Sequence, residues 1–355
     1  MAYTTIDDPS VYMQTTIYTG NNDSNGKTIT NAGNSDLQPD LLWIKNRESA
    51  SFNHYLVDSS RGENNSVHVR LVVNGTQTEA DGYTDNFASD GFRAVNNNGT
   101  TNNGDDFVAW QWKANAGTTT AGSSDDTIGT STHQANTTAG FSIVTYTGEQ
   151  ANKTVKHGLN TALDWLIVKN RDSAKDWRVW FKGFSGTQRL ELNNNEARAT
   201  TNTSWNNTVP GSSVFTLGND ANTNTSGDKF VAYCWHDVQG YSKFGSYFGN
   251  GAADGPFNYL GFKPGWLLIK DLGSTEQWQI KDTTRFPDNP NYFPIFPNLA
   301  NVEGNNTNSK VDFLSNGFKV RNNDGSHNTD GNEYIYAAFA ENPIVTSKGV
   351  PATAR

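Results

Sequence analysis

The chain has 355 residues, a formal net charge of −9, 18% charged and 12% aromatic side chains. That aromatic content excludes a disordered chain, and the absence of any Lys/Arg-rich run disfavours nucleic acid as a partner. No apolar run approaches the ~20 residues that a spanning helix needs, so membrane insertion is not expected. The lone cysteine, Cys234, leaves no intrachain disulfide; within the apolar stretch 230–235 it reads as a small core residue.

From the start of the chain, Met1–Asp8 carries neither a basic nor an apolar leader, which predicts synthesis in a cytoplasm without a standard secretion signal. Short aromatic and β-branched runs then follow at 13–18, 27–30, 41–45, 54–57, 67–73, 92–95 and 107–112, punctuated by Asn, Gly and Ser. Strands of that length and spacing predict a sandwich or barrel. Val67–Leu71 alternates apolar and polar residues, as a half-exposed strand does, whereas Leu41–Ile44 is continuously apolar and fits a central strand.

The pattern then recurs. Tyr18-Thr19-Gly20 returns as Tyr146-Thr147-Gly148 and Tyr247-Phe248-Gly249. Leu41–Arg47 returns as Trp165–Arg171 and Trp266–Asp271, and Asp106–Trp112 as Lys229–Trp235 and Glu333–Phe339. A fourth anchor, between the last two, reads Ser89–Arg93, Ser213–Thr216 and Ser315–Lys319. Four anchors in one order, three times over, predict an internal repeat. The fold expected is all-β, with three tandem antiparallel β-sandwich domains of jelly-roll or lectin-like kind. Their expected bounds are 1–116, 139–238 and 239–343, with a flexible Gly/Ser/Thr linker at 117–138 and a tail at 344–355. The linker predicts that the first domain is mobile, or docked separately, relative to a tighter pair formed by the other two. The first and last strands of each repeat are expected to pair antiparallel.

Candidate chemistry is sparse. Asp58-x-x-Arg61 recurs as Asp282-x-x-Arg285, each after a strand, whereas repeat two carries Phe181 and Phe184 there. A catalytic pair would not tolerate that loss, so these four residues read as turn-holding ion pairs. The Asn/Asp-rich loops 96–106, 219–229 and 322–333 offer oxygens of the kind calcium takes, with Asp324, Asp330 and Glu333 as the candidate ligands; otherwise no cofactor is expected. The six histidines lack metal-ligand spacing. No catalytic motif appears, so no enzyme is expected. Trp177, Trp180, Trp205 and Trp278 would stack on sugars if exposed, but Trp is mostly buried.

Longer strings carry a resemblance. Thr5–Thr15, Pro39–Arg47, Asp58–Gly62, Ala139–Gly148, Gly240–Tyr247 and Tyr334–Pro343 are similar to stretches of the DUF7483 family of tailed phages, including cyanophages. The resemblance implies a non-enzymatic virion structural protein located on the phage particle surface and made in the host cytoplasm. A tail fibre or tail appendage engaged in host-surface attachment is the leading expectation. A capsid decoration (knob or cement) protein and a carbohydrate-binding lectin-like module are the alternatives. Other virion proteins are the expected partners, with a host surface glycan as a further one, in a homo-oligomer or in many copies on the particle.

Overall fold

The computed structural model describes residues 3–95 and 98–351, nearly all β and antiparallel throughout. Repeat one holds β1 (Met13–Thr19), β2 (Lys27–Ile29), β3 (Leu41–Asn46), β4 (Tyr55–Asp58), β5 (Glu63–Asn64), β6 (Val67–Val72), β7 (Ala80–Ala88), β8 (Gly91–Ala94) and β9 (Asp106–Trp112). Two strands follow, β10 (Thr120–Ala121) and β11 (Ser131–Asn136). Repeat two holds β12 (Phe141–Thr147), β13 (Lys153–Lys156), β14 (Trp165–Asn170), β15 (Arg178–Phe181), β16 (Gln188–Glu191), β17 (Ala199–Thr200), β18 (Val214–Leu217) and β19 (Lys229–Trp235). Repeat three holds β20 (Ser242–Phe248), β21 (Phe257–Tyr259), β22 (Phe262–Asp271), β23 (Gln279–Asp282), β24 (Val311–Leu314), β25 (Gly317–Val320) and β26 (Glu333–Pro343).

One pairing scheme serves all three repeats. The opening strand pairs with the closing strand, as expected, with Tyr18 opposite Phe107, Tyr146 opposite Phe230 and Tyr247 opposite Tyr334. Each of these ring pairs stacks at 5.1 Å, and each opening tyrosine donates its hydroxyl to a backbone carbonyl: Thr100, Thr223 and His327 respectively. The glycine of the anchor has its own reason. A Cβ on Gly20, Gly148 or Gly249 would stand 2.1–2.2 Å from the carbonyl oxygen of Asn102, Thr225 or Thr329, so only glycine allows the approach. The closing strand also pairs with the apolar second-anchor strand, and that strand with the next. Leu41, Trp165 and Trp266 therefore occupy one position, Asp58, Phe181 and Asp282 a second, and Trp112, Trp235 and Phe339 a third.

Alternate residues of these strands enter different cores. In repeat one, Leu42, Ile44, Phe107 and Ala109 pack on Ile29, Phe92 and Ala94 of the small β2–β8 pair. Repeat three does the same with Leu267, Ile269, Tyr334 and Tyr336 against Val311, Phe318 and Val320. The opposite faces, with Trp43, Trp110, Trp112, Trp266, Leu268 and Phe339, join the residues of repeat two in one continuous cluster. Burial on both faces is why these strands lack the alternation of a half-exposed strand. At the centre, Trp112 lies 6.3 Å from Trp235 and 5.7 Å from Phe339, so matching residues of all three repeats meet.

Segment 117–138 departs from the flexible linker its composition predicts. β11 pairs along its whole length with β12, from Ser131 opposite Tyr146 to Asn136 opposite Phe141, and extends the sheet of repeat two. Thr and Ser are strand-compatible residues once an edge is there to accept them. The N-terminal arm crosses to repeat three, where the Tyr3 hydroxyl donates to the Gly261 carbonyl at 2.7 Å and the Thr4 hydroxyl to that of Gln239 at 2.8 Å. Residues 352–355 of the expected tail lie outside the described residues.

Candidate functional site: the three junctions between repeats

The buried charges of the molecule gather where one repeat meets the next. At the end of each second-anchor strand a lysine is fully buried: Lys45, Lys169 and Lys270. Its ammonium donates to the backbone carbonyl of the following residue and to one carbonyl of a neighbouring repeat. Lys45 reaches Ala300 in repeat three at 3.0 Å, Lys169 reaches Thr76 in repeat one at 3.1 Å, and Lys270 reaches Asn195 in repeat two at 3.3 Å. Burial pulls all three from the usual 10.5 down to about 8. Repeat one thus reaches repeat three, two reaches one, and three reaches two. Contacts that follow this order close on themselves, so the repeats form a ring about an approximate threefold axis.

Two junctions share a polar solution. Between repeats one and three, the Trp110 indole N–H donates to Asp282 Oδ2 at 3.0 Å. Asp282 also holds Arg285 at 2.5 Å; Arg285 holds Glu303 at 2.5 Å, and Glu303 holds Arg47 of repeat one. Between repeats two and one the same chain recurs. The Tyr233 hydroxyl donates to Asp58 Oδ2 at 2.6 Å, Asp58 holds Arg61 at 2.5 Å, Arg61 holds Glu79 at 2.9 Å, and Glu79 accepts from Arg171 of repeat two at 2.7 Å. Burial raises the Asp58 carboxyl, but the Arg61 guanidinium and the Tyr233 hydroxyl more than offset it and hold it below its usual range.

The third junction replaces the Asp–Arg pair, the indole or phenol that donates to it and the partner arginine with apolar residues, and the glutamate with Arg198. Repeat two has Phe181 and Phe184 where the others have Asp and Arg, and repeat three has Leu272 where the others have Arg47 and Arg171. Ala337 stands at the position of Trp110 and Tyr233. Phe244 fills the space, 6.2 Å from Phe181 and 5.8 Å from Trp165. The backbone N–H groups of Glu79 and Glu303 donate to the carbonyls of Arg171 and Arg47, and that of Arg198 donates in the same way to Leu272. Its guanidinium lies over the Phe184 ring at 5.5 Å and pairs with Glu333 at 3.0 Å.

Asp58, Arg61, Asp282 and Arg285 are therefore paired within their turns, as read from the sequence, and are also links between repeats, which the spacing alone did not reveal. Trp110, Tyr233, Glu79, Glu303, Arg47 and the three lysines went unnoticed. The recurrence of Lys at one place in the second anchor was the available signal. Two of the calcium candidates have other partners: Asp324 caps a short helix through the Ser326 N–H, and Glu333 pairs with Arg198, whereas Asp330 is exposed. Among the described residues no three His, Cys, Asp or Glu side chains converge as a metal shell would. Asn96 and Asn97 of the first candidate loop lie outside the described residues. Trp177, Trp180, Trp205, Trp278 and Cys234 are buried.

Beside β1, between repeats one and three, lies a cleft of about 440 Å³ lined by polar residues together with Met13, Ala32 and Ala340, with Glu341 as its charged residue. No curated protein and no solved structure matches the chain. The DUF7483 family model, described as a domain of unknown function, matches residues 8–343. Spanning both the repeats and the junctions, that match makes the chain a member of the DUF7483 family.

Proposed function

We propose that this protein is a non-enzymatic structural component of a tailed-phage particle, carried on the particle surface as a tail fibre or short tail appendage that contacts the host. In this reading each repeat is a β-sandwich of jelly-roll or lectin-like kind, and other virion proteins are its partners. The observation that carries it is the use of the buried polar groups. Asp58, Arg61, Asp282, Arg285 and the three buried lysines all engage a neighbouring repeat or its partner residue, which makes a rigid body and leaves the outer loops free to vary. The phage setting rests on the sequence resemblance. Imaging of particles labelled at residue 355 tests it: label at the tail is expected, and label over the capsid faces would favour a decoration protein instead.

A host-glycan reading has its own observation. Phe257 and Tyr259 project from one face of β21 and are 45% and 51% exposed, with Phe248 64% exposed in the same repeat. Exposed aromatic rings suit the apolar faces of sugars. Loss of glycan-array signal in Tyr259→Ala is the expected result if these rings serve attachment.

A further inference from the structure

The ring has three equivalent opening strands, and they are covered differently. β12 carries β11 on its outer edge, whereas β1 and β20 end their sheets. How β11 is held shows what the edge accepts. Gln134 is fully buried; its amide donates to Ser59 Oγ at 3.0 Å and Ser60 Oγ at 2.8 Å, and its carbonyl accepts from the N–H of Asn115 and Gly117. Asn136 donates to the carbonyl of Ala114 at 3.1 Å. The segment is thus gripped between the edge of repeat two and the end of repeat one.

The cleft beside β1 is the counterpart of that slot. Met13–Thr15 stand where Phe141–Ile143 stand, since Met13 faces Trp112 as Phe141 faces Trp235. Thr283 and Thr284 follow Asp282 as Ser59 and Ser60 follow Asp58, and Ala340–Asn342 follow Phe339 as Lys113–Asn115 follow Trp112. All of these residues line the cleft. Two hydroxyls, a run of backbone and a sheet edge are therefore repeated, without a β11 of their own. At the third junction the turn at 238–241 stands there instead, with Lys182 paired to Asp164 and Asp237.

We propose that the cleft along β1 is a receptor slot for an extended segment of another protein. The segment adds antiparallel to β1 and presents a Gln or Asn side chain to Thr283 and Thr284. Strand addition at an open edge draws affinity from main-chain hydrogen bonds and specificity from alternate side-chain positions. The segment is uncharged and rich in Ser, Thr, Asn and Gln, because the occupant of the matching slot, Ser131–Asn136, has that composition. This inference holds wherever the protein acts.

The test is fluorescence anisotropy of a labelled peptide copying residues 130–138, titrated with the full chain. Its own β11 is tethered and stays in place through high effective concentration. Saturable binding is expected. It should weaken by about tenfold or more with Thr284→Trp, an exposed position whose bulk fills the cleft, and to a similar degree with Gln134→Ala in the peptide. Absence of saturable binding, or binding unmoved by Thr284→Trp, would overturn the proposal. So would dimerisation of the protein abolished by Thr284→Trp, which would make a second copy the occupant.

Discussion

The junction of repeats one and two and the junction of repeats two and three occupy equivalent places in the ring, yet one is a relay of buried ions and the other is apolar but for Arg198, which stands at the place of Glu79. Asp58, Arg61, Glu79, Arg171 and Tyr233 form the first; Phe181, Phe184, Arg198, Leu272 and Ala337, with Phe244, form the second. The substitutions are concerted across both repeats of the apolar junction. Loss of Asp and Arg in repeat two goes with loss of the indole or phenol donor in repeat three. Physical chemistry explains why halfway states are avoided. An ion pair and its apolar replacement can be similar in net stability, but one buried partner without the other leaves an uncompensated charge. Seen from repeat two alone the missing Asp-x-x-Arg looks like a lapse, whereas seen across the junction it is one half of a matched exchange.

The sharpest way to break the contrast is to remove one partner of the relay. Asp58→Ala leaves the Arg61 guanidinium with Glu79 as its one carboxylate and strands the Tyr233 hydroxyl in the interior, and is expected to cost ~3–5 kcal/mol in denaturant unfolding. Phe244→Ala attacks the apolar junction and should cost ~3 kcal/mol by cavity formation. Acid titration separates the two variants. Asp58 has a depressed folded-state pKa, so its stabilisation is complete above the usual 3.8 and fades as pH falls below it. Asp58→Ala should lose that acid limb, and Phe244→Ala should keep it.

Exchange of the whole set sharpens the comparison. Asp58→Phe, Arg61→Phe, Tyr233→Ala, Arg171→Leu and Ile143→Phe in one chain give the side chains of the apolar junction, and Glu79→Gln neutralises the carboxylate that loses both of its arginines. That variant should lie within ~2 kcal/mol of the natural chain and above Asp58→Ala, because no charge is left half-paired. A pH effect is shared by all three junctions. The folded-state pKa of Lys45, Lys169 and Lys270 lies at about 8, below the ordinary 10.5. Between those values the unfolded chain binds more protons, so stability should rise as pH climbs from 8 towards 10. Above 10 the buried Tyr233, pushed up by burial, turns the slope back. A flat unfolding midpoint over that window would show that the lysine cages contribute no linkage.

Much of this was legible in the sequence because it repeats. The anchors gave the strands, and the Tyr-x-Gly and closing aromatics gave the pairing that the stacked rings display. Relations between repeats were not legible. Trp110 and Tyr233 did not stand out because nothing local marks an N–H or O–H aimed at a carboxylate 172 or 175 residues away. Segment 117–138 read as a linker because its Thr, Ser and Gly content describes the chain alone, and the exposed edge of β12 that orders it lies in a different stretch. The candidate calcium ligands failed to converge because Asp324 and Glu333 answer to a helix end and to Arg198, both local or inter-repeat needs that composition does not record.

Native-state hydrogen exchange resolved by repeat is the direct test of a closed ring. β3, β14 and β22 each carry one of the caged lysines and pair with a closing strand at the shared core. In a closed ring their amides open together, with one free energy and one denaturant dependence, and Asp282→Ala lowers all three by the same amount. Early exchange of β3 alone, with β14 and β22 unaffected by Asp282→Ala, would contradict it.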